Sequence, residues 1–423
     1  MRRTADGLHQ ARNALCYVVD GAAYFFGMGV AGFDTVLPLF LATLTSSGIL
    51  IGLVAAIGTA VGSLPQLWTA KWVEERERRL PTVLFLSAAT RFTWLLIVLL
   101  AYHIDELPRM VSVCAYLTGL TVFKLLDGGG LPAWLDLSAR CISRDRRGWL
   151  WGWRSCASGL GGLAGTLLAS RVLVQYAYPA NYATALLYAL GGLLLSHLSM
   201  SLIREPALPA PERSPRSFPA YLRHLGSIFS ANPNFVRYLL VLALAAQSSL
   251  ATAFYSVYAV RRWGLPPSAA GTFGTLILGA QLATNWFFGR LGDRRGFKVV
   301  LQFSLGFQAL APGLMALAGS IAAVCGVFAA YGVAMSAYRI ASLNMVLEFG
   351  PPADRPTYVA LANIVVAPLA IAAPLVGGLL IETVGYRITF GLTAVVMLVA
   401  FTLVCFRVQE PRITEPWTLD PAT

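Results

Sequence analysis

Long apolar runs separated by short polar stretches set the pattern of this chain. Runs of about twenty apolar residues, the length a helix needs to cross hydrocarbon, recur near 14–40, 47–70, 82–102, 110–138, 149–170 and 182–203. After a longer polar break, six more follow near 236–260, 267–289, 298–317, 320–348, 357–381 and 386–406. The pattern predicts an all-α polytopic membrane protein with twelve transmembrane helices, and an even number of spans puts both termini on one side.

The break at 204–235, REPALPAPERSPRSFPAYLRHLGSIFSANPNF, divides the spans six and six. Its first half is rich in Pro and Arg and too polar for lipid. Its second half, Phe218 to Phe229, is expected to form a short amphipathic helix on the membrane surface. The organisation read from this is an N-terminal six-helix bundle over 1–203, a linker over 204–235, a C-terminal six-helix bundle over 236–408 and a tail over 409–423.

Composition strengthens the membrane reading. Of 423 residues, 57% are hydrophobic and 12% charged, against about a quarter charged in soluble domains. The net charge of +12 would suit a nucleic-acid partner, but the basic residues lie between the apolar runs. With both termini placed in the cytoplasm, 23 Lys and Arg fall on that side and five outside, with four inside spans. The positive-inside rule therefore accounts for the charge without nucleic acid, and it sets a cell-membrane protein with cytoplasmic termini. The basic N-terminus precedes no small-residue cleavage site, so the first run reads as a retained helix. The six cysteines (Cys16, Cys114, Cys141, Cys156, Cys325 and Cys405) lie in or beside apolar runs with no CxxC pair. They read as small apolar fillers, and neither metal nor cofactor is expected.

The two halves echo each other. AKWVEERERR (70–79) follows the second span and GRLGDRRGFK (289–298) the eighth. A shift of 219 places Lys71 on Arg290, Glu74 on Asp293, Arg76 on Arg295 and Arg79 on Lys298. A shift of 209 places Asp145-Arg146, after span four, on Asp354-Arg355, after span ten. Repeated halves are common in secondary transporters, with the substrate site near the midplane.

The stretch Gly289, Arg290, Leu291, Gly292, Asp293, Arg294, Arg295, Gly296, Phe297, Lys298 resembles the G-x-L-x-D-R-x-G-R-K loop signature of the major facilitator superfamily, with Phe297 in place of the penultimate basic residue. The N-terminal copy departs further, with Ala70 and Val73 for glycines and Glu74 for the aspartate. The resemblance extends over nearly the whole chain through span count, linker and repeat. It implies two pseudo-symmetric six-helix bundles, alternating access and function as a monomer. It also implies a latch in which Asp293 faces a helix N-terminus while Arg290 and Arg294 pair nearby acids; a plain solvated loop is the competing reading. Gly152, Gly161 and Gly165 of span five resemble part of that family's antiporter signature, although Thr166, Ala169 and Ser170 stand where its proline and closing glycines would be. Close helix packing explains the same glycines equally well.

Ionisable groups inside spans are costly and mark function by default. With a rise of about 1.5 Å per residue, Arg91 and Asp127 fall roughly 15 Å deep, near the midplane. Lys124 is one turn from Asp127, and Asp20 lies at a compatible depth on span one, so these four charges are able to meet. Asp20, Tyr24, Gly27, Ala31 and Asp34 keep to one helical face, suited to lining an aqueous path. A desolvated carboxylate can take up a proton, so Asp20 or Asp127 are candidate coupling groups; a permanent Asp20–Arg91 ion pair is the alternative. Arg154 and Arg339 have no evident partners and complete the set of coupling or substrate candidates. Asp136 is four residues before Arg140 and reads as a helix-end pair. Gln247, Tyr255, Tyr258, Gln281 and Asn285 are polar enough to touch substrate or to bond between helices. The run Asp127-Gly128-Gly129-Gly130-Leu131-Pro132 is expected to hinge, unwind or kink span four.

These features favour a secondary transporter of a small molecule, proton-coupled, with export slightly favoured over uptake. A substrate-free membrane sensor or assembly module of the same fold is the competing class. An enzyme lacks support: the four histidines are scattered and no P-loop or nucleophile motif is present.

Overall fold

The computed structural model describes residues 2–59, 61–66, 69, 76–142, 144–206, 232–349 and 355–414. Within them the secondary structure is helical and no strand occurs. The first half comprises α1 (Arg2–Val30), α2 (Val36–Leu44), α3 (Gly48–Thr59) with a following 3-10 turn (Val61–Ser63), α4 (Leu80–Tyr102), α5 (Arg109–Cys141), α6 (Arg144–Gln175) and α7 (Ala180–Ser201). The second comprises α8 (Pro233–Ala245), α9 (Ser249–Thr252), α10 (Tyr255–Trp263), α11 (Ala269–Arg295), α12 (Phe297–Leu317), α13 (Ile321–Phe349), α14 (Arg355–Val384), α15 (Tyr386–Phe406) and a last turn, α16 (Pro411–Thr414).

Among the described residues, nine helical segments are long and apolar enough to cross a membrane. The expected spans one, two and eight differ from these nine for identifiable reasons. Span one is divided by a break at 31–35 into α1 and α2. Span two is a shorter apolar piece, Gly48–Ser63. Span eight, α11, carries Gln281 and Asn285 and closes on Asp293, Arg294 and Arg295. The outer surface is apolar: Phe92, Leu95 and Leu96 on α4, Leu194, Leu195 and Leu198 on α7, and Val395, Leu398 and Val399 on α15 are exposed. Apolar side chains exposed along long apolar helices belong in lipid, and the chain is an integral membrane protein.

The chain separates into two compact units, residues 1–212 with 259–275 and residues 213–258 with 276–423. In the first unit the buried core centres on Phe40, Trp94, Tyr116, Phe123 and Tyr182. Here α1 and α6 approach with backbones in contact, because a side chain at Gly161 would collide with the Ala22 carbonyl and one at Gly165 with the Phe26 carbonyl. In the second unit the rings of Phe235, Tyr238, Phe349 and Tyr358 pack in tilted pairs as an aromatic core.

Each unit also closes one corner with the same device. In the first, Asn13 and Arg204 exchange two hydrogen bonds of 3.0 Å between side-chain amide and backbone. The neighbouring Glu205 accepts from the backbone N–H of Arg79 and Leu80 at 2.8–3.0 Å, capping α4. In the second, Asn234 exchanges the equivalent pair with Gln409 at 3.1 and 2.9 Å, and Glu410 accepts from the Lys298 N–H at 2.9 Å, capping α12. Carboxylates at helix N-termini satisfy donors that the helix cannot. Gly296 links α11 to α12 in one residue with φ of +86°, a conformation that favours glycine.

Candidate functional site

The first unit contains an open cavity of about 410 Å³. Its wall includes Asp20 and Tyr24 from α1, Gln66 after the 3-10 turn, Arg91 from α4, Lys124 and Asp127 from α5, Arg154 from α6 and Ser196 from α7. Helical periodicity explains part of this convergence: Asp20 and Tyr24 lie one turn apart on α1, as do Lys124 and Asp127 on α5.

The bonding pattern differs from the expected Asp20–Arg91 pair. Asp20 pairs with Arg154 at 3.3 Å and accepts from the Ser196 hydroxyl at 2.7 Å. Arg91 reaches Asp20 only through Ser196, to which its Nη2 donates at 2.9 Å. Its other nitrogens donate to the Leu193 carbonyl at 2.9 Å, to the Thr90 hydroxyl at 2.8 Å and to the Ser87 carbonyl at 3.3 Å. The guanidinium is therefore held entirely by α4 and α7. Arg154 lies 4.6 Å from the centre of the Trp134 ring and 5.7 Å from that of Trp151, an arrangement in which aromatic faces stabilise the cation. A side chain on Gly21 would strike Ser158 and Arg154, so α1 lets Arg154 lie close along it.

The second carboxylate is held more loosely. Asp127 accepts from the Tyr24 hydroxyl at 2.8 Å, and Lys124 stands 3.6 Å from the same oxygen. The Lys124 ammonium also lies 5.4 Å from the Phe33 ring centre.

Other candidate residues are placed elsewhere. The expected continuous face on span one is interrupted, because α1 ends at Val30 and Asp34 falls in the break before α2. Gly27 packs against the Ala189 carbonyl of α7 rather than facing the cavity. The glycine run of α5 stays helical through Pro132, so no unwinding occurs there; Gly128 instead meets Gly62 backbone to backbone. Arg339 on α13 is exposed and has no hydrogen bond or ion pair among the described residues. Asp136 pairs with Arg140 at 3.1 Å and also with Arg79 at 2.5 Å. Asn285 accepts from Ser336 at 2.6 Å, and Gln247 donates to the Ala243 carbonyl at 3.2 Å, so both bond between or within helices.

In the loop motif, the ion pairs expected of a latch do not occur among the described residues. Arg290 lies over Trp286, 5.5 Å from the ring centre, while Asp293, Arg294 and Arg295 are exposed. No ion pair joins Arg290, Asp293 or Arg294 to another described residue. Gly292 packs on the Phe297 ring, Gly296 leaves room for Glu410, and the Lys298 ammonium donates to the Cys405 carbonyl at 3.2 Å. Gly289 has open space around it. Arg412, which sequence reading passed over, joins these parts. It donates to the Gly292 and Asp293 carbonyls at 3.1 Å, pairs with Glu348 at 2.5 Å and covers Phe297. Lys71, Glu74, Asp354 and the expected surface helix from Phe218 to Phe229 lie outside the described residues, as do the side chains of Asp145, Arg146 and Arg355.

Sequence reasoning also missed Ser196, Ser87 and His197, which bond around Arg91; the Ser87 hydroxyl and His197 Nδ1 are 2.9 Å apart. Single serines on apolar helices carry no signal. The recurrence of Arg204-Glu205-Pro206 as Gln409-Glu410-Pro411 directly after spans six and twelve was available as a signal for the two caps.

Residues 238–421 match the sequence profile of the Major Facilitator Superfamily. No curated protein matches the chain in sequence. Among solved structures, it is similar to a variant of the nucleoside transporter NupG at 13% identity, with a TM-score of 0.74 over 93% of this chain and 99% of that one. An autoinhibited POT-family peptide transporter is similar at 12% identity and TM-score 0.73, covering 94% and 97%. A bacterial homologue of the iron transporter ferroportin is similar at 15% identity and TM-score 0.71, covering 93% and 98%. At these identities the likeness is one of fold alone.

Proposed function

We propose, taking the chain as a major facilitator superfamily transporter, that it carries a small molecule across the cell membrane by alternating access and couples this to protons through Asp20 and Asp127. In this reading it acts as a monomer with both termini in the cytoplasm. The observation that carries the proposal is the convergence of two carboxylates and three cations on one cavity, each carboxylate sharing a cation and a hydroxyl donor. Charges buried in a membrane span are retained where they serve transport or proton relay.

A proton on Asp20 removes the negative charge that holds Arg154 and lengthens the link through Ser196 to Arg91. Because α1, α4, α6 and α7 each supply one member of that link, neutralising it loosens four helices at one point. A proton on Asp127 likewise releases Lys124 and leaves Tyr24 to donate to a neutral group. Either event changes which helices are bound together, as proton-driven switching requires.

The proposal is tested with purified protein in proteoliposomes under an imposed pH gradient, using a broad panel of compounds. Gradient-driven flux is expected in the wild type and is expected to vanish in Asp20→Asn and Asp127→Asn. Flux unaltered by both substitutions would remove proton coupling while leaving transport. Absence of flux for every compound and both gradient directions would favour the non-transporting membrane module. Of the glycines that resembled an antiporter signature, Gly161 and Gly165 are occupied in the α1–α6 contact and Gly152 has open space around it, so they lend nothing to export over uptake. Comparison of inside-out and right-side-out vesicles decides the direction.

A further inference from the structure

We propose that the transported molecule is an organic anion, and that Lys124 is the group that receives its carboxylate, phosphate or sulfonate. The inference rests on the transport reading above and narrows its substrate class. Among the described residues lining the cavity, Arg91, Lys124 and Arg154 are cations and Asp20 and Asp127 are the acids. Three positive charges therefore face two negative ones, and a site of low polarity disfavours an unbalanced charge. One anionic group on the occupant restores neutrality.

The hydrogen bonds say which cation is available. All three nitrogens of Arg91 donate to protein acceptors. Arg154 is paired with Asp20 through Nη2 and flanked by two indoles; its Nε has no hydrogen-bond partner but is buried, out of reach of an incoming group. Lys124 differs. Its nearest carboxylate oxygen is 3.6 Å away, beyond hydrogen-bond length, and that oxygen already accepts from Tyr24. Its side chain is 18% exposed, and it lines the cavity. An ammonium has three donors and no acceptor, so Lys124 presents unspent donors that an incoming acceptor can reach.

The rest of the wall suits the body of such a molecule. Phe25, Leu86, Leu131 and Trp134 offer apolar and aromatic surface, with Gln66 as a polar end. Pockets of this mixture, a few placed polar groups in an apolar lining, orient amphipathic ligands. Protonation of Asp127 would remove the competitor for Lys124, so a proton and the substrate anion are expected to favour one another's binding.

The test measures ligand binding without any gradient, in nanodiscs of zwitterionic lipid carrying the full chain. Probes are phenylbutyrate, phenyl phosphate and naphthalenesulfonate, set against phenylbutyramide and phenylbutylamine, within a wider panel of matched acids, amides and amines. Thermal stabilisation and equilibrium binding are expected for acids and not for their neutral or cationic counterparts. Lys124→Gln is expected to weaken acid binding by tenfold or more, and Lys124→Arg to retain most of it. The unliganded melting temperature of each variant shows that it is folded.

Binding of amides or amines in preference to acids would overturn the proposal, as would an absence of acid binding or a Lys124→Gln protein that binds acids like the wild type. Nanodiscs containing phosphatidylglycerol separate a soluble anion from a lipid headgroup. Displacement of the probes by that lipid would assign the site to the headgroup and overturn the substrate assignment. Acid binding without gradient-driven flux would leave the anion site at Lys124 standing and sink proton-coupled transport. Flux confined to neutral or cationic compounds would do the reverse.

Discussion

The two units share their corners and differ in their centres. Asn13, Arg204 and Glu205 close the first unit as Asn234, Gln409 and Glu410 close the second. An acid near the end of the fourth span, Asp136 or Glu348, accepts an arginine in each. Inside the bundles the likeness stops. The first unit holds Asp20, Arg91, Lys124, Asp127 and Arg154 in one cavity, whereas the second carries Arg339 on an exposed face of α13 and otherwise neutral groups such as Gln281, Gln308 and Asn285. The repeated corners satisfy helix ends, a need that every copy of the architecture has. The clustered charges belong to the first unit's cavity, and under the proposed function they are the groups that serve transport.

If that contrast is right, the largest effects of substitution fall in the first unit. Asp20→Asn leaves the guanidinium of Arg154 without its counter-ion, and breaking a buried pair costs about 3–5 kcal/mol. Chemical unfolding in detergent should register that loss, and Asp20→Asn with Arg154→Gln should recover most of the stability but none of the coupled flux. A double variant as unstable as the single one would mean that Arg154 is not the partner that matters.

Gly161→Leu comes next. It drives a side chain into the Ala22 carbonyl, and overpacking of this kind costs about 1–3 kcal/mol. Gly391→Ala on α15, where nothing lies within 4 Å, should leave the melting temperature within a degree or two or raise it, as alanine favours helix by about 1 kcal/mol over glycine.

The caps allow a closer comparison. Among the described residues Glu205 accepts from the backbone N–H groups of Arg79 and Leu80 and Glu410 from that of Lys298, so Glu205→Gln is expected to cost about 1–2 kcal/mol and Glu410→Gln about 1 kcal/mol. Equal losses in thermal unfolding would show that the two corners are energetically interchangeable. Arg339→Gln should have the smallest effect on stability, within about 0.5 kcal/mol. A larger loss would reveal a partner for Arg339 and erode the contrast between the centres.

Much of the fold was legible in the chain, since helix length, apolar character and charge placement are local properties. The ends of α4, α7, α12, α13 and α15 fall within a few residues of the apolar runs. Breaks were harder to read. Span one breaks at Gly32 and Asp34 while the triple glycine of α5 stays helical, with Gly128 packed on Gly62 and Gly129 on Thr69 and Pro65. At the site, Asp20, Arg91, Lys124, Asp127 and Arg154 were all visible as charges in apolar surroundings, and their depths were right enough to suggest a meeting. Their pairing was not visible. Depth along a helix gives one coordinate, and whether Asp20 turns to Arg91 or Arg154 depends on rotation about the axis and on which helices are neighbours.

What the sequence determined by itself was therefore the solvent in which the protein lives and the residues that have to be accommodated there, because transfer into lipid is judged residue by residue. The tertiary structure decided the partners. A hydrogen bond or ion pair needs two groups within a few ångströms in a set geometry, and helices remote in sequence bring Ser196 between Asp20 and Arg91, and leave Lys124 without an acceptor at hydrogen-bond length, only once they have packed.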